Sequence, residues 1–175
     1  GGVKFDLAGN LYVGYVDKKP TVAIPGFEKD RNMATVGRIH KFAPTGTLES
    51  GNLFPKASTG PAHSYDVFYG AFETQCFTRS PRFDVDGYGR IYYPTNIAPR
   101  VTVMDNAGNE ILHFGTYGNR DSMGGLPGEL VPTQGIPLAF PNSAGATDDY
   151  IYVADMVNLR LLRMKKNFRA VASSR

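Results

Sequence analysis

Apolar residues in this chain come in short runs separated by glycine, asparagine and aspartate, and three such stretches align with one another. The first is Phe5-Asp6-Leu7-Ala8-Gly9-Asn10-Leu11-Tyr12-Val13. The second is Phe83-Asp84-Val85-Asp86-Gly87-Tyr88-Gly89-Arg90-Ile91-Tyr92-Tyr93. The third runs from Leu138-Ala139-Phe140 through a polar loop to Asp149-Tyr150-Ile151-Tyr152-Val153-Ala154-Asp155. Each predicts an apolar strand, a polar turn and a second strand centred on tyrosine, which is the pattern of a β-hairpin.

A strand opening on arginine follows each hairpin: Arg38-Ile39-His40-Lys41-Phe42, Arg100-Val101-Thr102-Val103-Met104 and Arg160-Leu161-Leu162-Arg163-Met164. The arginine lies eight residues past the tyrosine in the second and third repeats and 26 past it in the first. The first repeat therefore carries an insertion of about 18 residues, at about 17–35. A turn and a fourth strand come next, clearest at 104–115, with counterparts at 42–48 and 165–172. Four short antiparallel strands per repeat make a propeller blade. A lone sheet of this kind cannot bury both faces, so such repeats must stack.

Composition agrees with an all-β reading. The 175 residues are 42% hydrophobic and 20% charged, enough to bury a core and to exclude a wholly disordered chain. No stretch approaches the roughly 18 apolar residues of a spanning helix, so no membrane span is expected. Glycine and proline supply 32 residues and phenylalanine and tyrosine 21, which favours strands and turns over long helices. Cys76 is the only cysteine, so an internal disulfide and a cysteine-rich zinc site are excluded. Net charge is +3, yet 160–175 holds six basic residues and no acid, leaving 13 basic against 16 acidic residues elsewhere. A basic tail can attract anionic surfaces, although a solvated strand face is the plainer reading. The chain opens on Gly1-Gly2 without a signal-like segment, which reads as processing or as part of a longer protein and leaves secretion open.

Taken together these residues resemble the NHL-repeat β-propellers. The third repeat supplies Tyr152-Val153-Ala154-Asp155 and Asn158-Leu159-Arg160-Leu161; the second supplies Arg100-Val101, Asp105-Asn106-Ala107-Gly108 and Phe114-Gly115. Gly118-Asn119-Arg120-Asp121, with Gly124 and Gly125, is similar to the family's connector between blades. The resemblance covers about two-thirds of the chain. Two departures concern loops: Tyr93-Pro94 stands where the family prefers Val-Ala-Asp, and 55–79 is longer than an ordinary connector. The resemblance implies about three four-stranded antiparallel blades, the C-terminal half of a six-bladed propeller. Repeats fall at 1–54, 80–117 and 136–175, with connectors at 55–79 and 118–135. Half a propeller leaves two apolar blade faces open. A missing half is therefore expected, from the same protein, a separate chain or a second copy.

The resemblance also implies where ligands bind, namely on the rim built from second-to-third-strand loops and blade connectors. Those segments are 17–35, 55–79, 94–99, 118–135 and 155–158. Candidate ligand-binding residues there are His63, Tyr65, Asp66, Tyr69, Arg79, Asn96, Asp121, Asp155 and Asn158. Tyr65, Phe68, Tyr69 and Phe72 can stack on a sugar, but sealing the connector onto a blade edge weighs more. Asp155 and Asn158 suit a tight loop whose backbone they bond, and that structural role outweighs ligand contact. The recurrent Arg38, Arg100 and Arg160 read as architectural donors to carbonyls between blades.

A catalytic set does not emerge. His40, His63 and His113 suffice in number for a metal but show no metal-ligand spacing, and only His63 falls in a rim connector. Asp84-Val85-Asp86-Gly87 lacks the further ligands of a calcium loop and reads as a hairpin turn. Cys76 has Arg79 and Arg82 nearby but no base at nucleophile-like spacing. The leading expectation is a non-enzymatic, extracellular or periplasmic binding or assembly module that contacts a protein or glycan through its rim. No cofactor is predicted. The alternative, a metal-assisted lyase or lactone hydrolase of the six-bladed type, would use calcium or zinc. RNA binding ranks last, because the basic cluster lies on outer strands and the rest of the chain is acidic.

Overall fold

A computed structural model describes residues 2–18, 35–44, 61–69, 82–95, 98–118 and 135–167. These residues are all-β. Among them no helix is long and apolar enough to cross a membrane.

The first sheet contains β1 (Gly2–Phe5), β2 (Leu11–Lys18), β3 (Thr35–Phe42) and β4 (His63–Tyr69) in that order, every pair antiparallel. The second contains β5 (Asp84–Val85), β6 (Ile91–Thr95), β7 (Arg100–Met104) and β8 (Glu110–Phe114), again in chain order and antiparallel. Two short strands, β9 (Thr116–Tyr117) and β10 (Pro137–Leu138), pair in parallel and link the second sheet to the third. The third sheet has β11 (Pro141–Ala146), β12 (Tyr150–Asp155) and β13 (Arg160–Lys165).

The turns explain why the hairpins close where they do. Asp6, Asp86 and Asp105 each open an Asp-x-x-Gly turn, and Gly9, Gly89 and Gly108 stand in the left-handed region at φ 78°, 75° and 91°. A side chain there would be strained, so glycine is the residue that fits. In each turn the aspartate Oδ1 accepts the backbone N–H groups two and four residues on. Its Oδ2 accepts the side chain four residues on: Asn10, Arg90 or Asn109. In the first two turns it also accepts the tyrosine hydroxyl six residues on, Tyr12 at 3.0 Å and Tyr92 at 2.7 Å.

The sheets pack face to face. Tyr12, Ile39 and Tyr65 of the first sheet meet Phe83, Val85, Ile91 and Met104 in one buried cluster. On the opposite face of the second sheet, Tyr92, Val101 and Val103 meet Leu138, Ala144 and Val153 in another. The second sheet is thus covered on both sides. At one edge the leading strands adjoin: Lys4 pairs with Asp84 at 3.0 Å, Asp84 accepts the Ala146 N–H at 2.8 Å, and Arg82 bridges to Ser143.

Three placements differ from the sequence expectation. The fourth strand of the first sheet is β4, not a segment within 42–48, so the expected connector 55–79 contains a strand. It pairs with β3 across a register shift between Gly37 and Arg38. The first strand of the third sheet is β11, within the expected polar loop, while Leu138 joins the parallel pair. The insertion begins later and ends earlier than 17–35, because β2 and β3 stay paired out to Lys18 and Thr35. Of the expected last turn and strand, 165–172, residues 168–172 lie outside the described residues.

Candidate functional site

Two residues from the sequence-predicted rim set, Asp155 and Asn158, come together at the end of β12, and both are fully buried. Asp155 accepts the N–H groups of Ala139 and Phe140, the Asn158 amide at 2.7 Å and the Arg160 guanidinium at 3.2 Å. Asn158 also donates to the Gly118 carbonyl at 3.1 Å, and Arg160 donates to the Pro137 carbonyl. The polar groups of this loop point inward and tie β12 to the linking segments. Its apolar residues point out, with Leu159 85% exposed at φ 52°. The carbonyl that Arg160 reaches lies in its own repeat, 136–175, rather than in a neighbouring one.

His63 and Tyr65 lie on β4 rather than in a loop. His63 is exposed and stacks on Tyr65 with 6.0 Å between ring centroids. Tyr65 is buried, and its hydroxyl donates to the Asn106 carbonyl at 2.8 Å, which seals the first sheet onto the β7–β8 turn. Lys41, also buried, donates to the Asn106 side chain and lies over the Tyr12 ring. The backbone of Asp66 and Tyr69 pairs with Arg38 and Val36. Arg79, Asn96 and Asp121 lie outside the described residues, as does Cys76.

Sequence reasoning took Asp86 for a turn residue and missed its second function as a charge node. Its carboxylate is buried and accepts Arg90 at 2.8 Å, the Tyr92 hydroxyl, and Lys166 from the third sheet at 3.0 Å. Burial alone would raise its pKa; the bonds from Arg90, Tyr92 and Lys166 outweigh this and hold it at about 2. Burial and the same carboxylate push the Tyr92 hydroxyl well above its ordinary value. Tyr12 is raised in the same way by burial and Asp6. Neither tyrosine is poised as an acid near neutral pH.

Of the remaining histidines, His40 bonds the Tyr15 hydroxyl, and His113 pairs with Glu110 at 2.6 Å. Among the described residues no group of three or more His, Cys, Asp or Glu is placed to hold a metal ion.

The outward face of the first sheet is different in character. Register puts Val3, Phe5, Leu11, Val13, Tyr15, Arg38, His40, Phe42 and Ser64 on one side of it, apolar along β1 and polar towards β4. Val3 is 59% and Phe5 57% exposed. This face opposes the one that packs on the second sheet.

No family model matches the chain. No curated protein matches it either.

Proposed function

We propose that the chain is a non-enzymatic binding or assembly module whose sheets are consecutive blades of an NHL-type β-propeller. It would contact a protein or glycan through loops held on that scaffold. The observation carrying this reading is the exposed apolar face around Val3 and Phe5. Large exposed apolar patches mark interaction sites. The regular stacking supports it too: Tyr12 and Tyr92 occupy the same place in their sheets, and each faces the next sheet. A further sheet against Val3 and Phe5 would continue that series. The buried polar residues support it as well, because Asp86, Asp155 and Asn158 are committed to internal bonds.

Sedimentation analysis of the native particle tests this reading. The expected outcome is a particle whose association weakens when Phe5→Lys places a charge on this face. A Phe5→Lys particle with unchanged mass and solubility counts against it. Elemental analysis of the same sample addresses the lyase or lactone hydrolase alternative, for which stoichiometric calcium or zinc is the required result.

A further inference from the structure

One face of each sheet carries the same tyrosine, and strand register aligns the residues around it. Tyr12 stands opposite Lys41, Tyr92 opposite Val103 and Tyr152 opposite Arg163. Two residues before each of these partners, on the same face, stand Ile39, Val101 and Leu161. The second sheet covers this face of the first, and the third sheet covers it in the second. Ile39 and Val101 are accordingly 1% and 0% exposed. Leu161, with no sheet over it among the described residues, is 69% exposed. The outward face of the third sheet thus keeps an apolar residue at the position that the two covered faces bury.

The first sheet also shows how a cation on this face meets a covering sheet. Lys41 lies over the Tyr12 ring and donates to the Asn106 side chain, in the turn between the third and fourth strands of the second sheet. Arg163 takes the corresponding place opposite Tyr152 and lies over the Tyr150 ring, 5.1 Å from its centroid. Lys165 adds a second cation opposite Tyr150. Asp155 is the one acid in β11, β12 and β13, and it is turned inward on Arg160. Among the described residues no ion pair engages Arg163 or Lys165.

We propose that a further four-stranded sheet of the same repeat type docks on this outward face, and that the turn between its third and fourth strands gives Arg163 an asparagine or aspartate side chain. The proposal rests on the reading of the sheets as consecutive repeats and adds a second docking face to the one around Val3 and Phe5. The incoming sheet covers Leu161 as the second sheet covers Ile39. A guanidinium donates directed N–H bonds to an amide or carboxylate oxygen, and exclusion of water strengthens them. The first sheet of a second copy lacks that side chain at the matching place. Phe42 and Met104 pair with Leu11 and Ile91, and two residues later stand Pro44 and Asn106. The occupant is therefore a sheet formed by residues other than these 175.

Hydroxyl-radical footprinting of the native particle, read by mass spectrometry, tests the proposal. Leu7, 88% exposed in a turn of the first sheet, is the reference for a leucine in water. Leu161 is expected to oxidise at least about tenfold more slowly than Leu7, in keeping with its buried counterparts Ile39 and Val101. Arg163→Glu should bring Leu161 to within about twofold of Leu7, whereas Arg163→Lys, which keeps a donor like that of Lys41, should retain the protection. Circular dichroism confirms that each variant folds. Phe5, followed in the same samples, reports separately on the first sheet's face. Three results overturn the proposal: Leu161 as reactive as Leu7, even where Phe5 is protected; protection of Leu161 that survives Arg163→Glu; or a protected particle whose mass is a multiple of this chain alone, which makes the occupant a second copy. A protected Leu161 beside a reactive Phe5 supports this docking face and counts against the reading of the first sheet's face.

Discussion

Asp86 shows how one residue can serve a turn and a whole interface. Its Oδ1 shapes a hairpin, while its Oδ2 collects Arg90, Tyr92 and Lys166 from two sheets. Removing one partner of a buried charge cluster leaves the others uncompensated, which costs about 3–5 kcal/mol. Asp86→Asn should therefore destabilise the protein by about 3 kcal/mol near neutral pH, as read by chemical denaturation. The pH dependence has a fixed direction. The folded-state pKa of Asp86, about 2, lies below the unfolded value, so its contribution is full above pH 4–5 and fades as pH falls towards 2. The gap between native and Asp86→Asn stability should narrow over that window. A gap that stays constant down to pH 2 would mean that the carboxylate is not the group responsible.

Among the elements, the glycines mark where the backbone leaves no alternative. Gly115 sits at φ 109°, and a Cβ there would come 2.6 Å from a Leu138 methyl and 2.9 Å from the Pro99 carbonyl. Gly115→Ala combines an unfavourable conformation with a clash against backbone, so a loss of about 2–3 kcal/mol is expected in thermal unfolding. Gly145→Ala should be nearly neutral by comparison, because its nearest neighbours lie at 3.8 Å. The hairpins were legible in the sequence because their bonds are local: Asp86, Gly89 and Tyr92 lie within one short segment. Strand β4 was not, because its partner β3 precedes it by more than 20 residues and nothing near His63 announces that pairing. Strand β11 was hidden for another reason. Its residues, Pro-Asn-Ser-Ala-Gly-Ala, alternate no large apolar side chains, yet Ala144 is buried against the second sheet. The inward role of Asp155 and Asn158 was readable from their place in a tight loop. The bond between Asp86 and Lys166 was not, since the two lie 80 residues apart in the chain and only the packing of the sheets brings them together.

At the scale of the molecule, the sheets form a series with unequal ends. The second sheet is covered on both faces. The outward face of the third is mixed, with Arg163 over the Tyr150 ring and Tyr152 beside it. That of the first is apolar along β1, where Val3 and Phe5 are more than half exposed, and polar towards Arg38 and Ser64. Burying those two side chains would contribute roughly 1–2 kcal/mol each, in proportion to their exposure. A photo-crosslinking residue at Phe5 in the native particle tests the central claim most directly. A further β-sheet packed on this face would give saturating crosslinks to one short apolar segment, and those crosslinks would disappear on denaturation. Scattered, low-yield products, identical in native and denatured samples, would show that this face meets only water and would contradict the account.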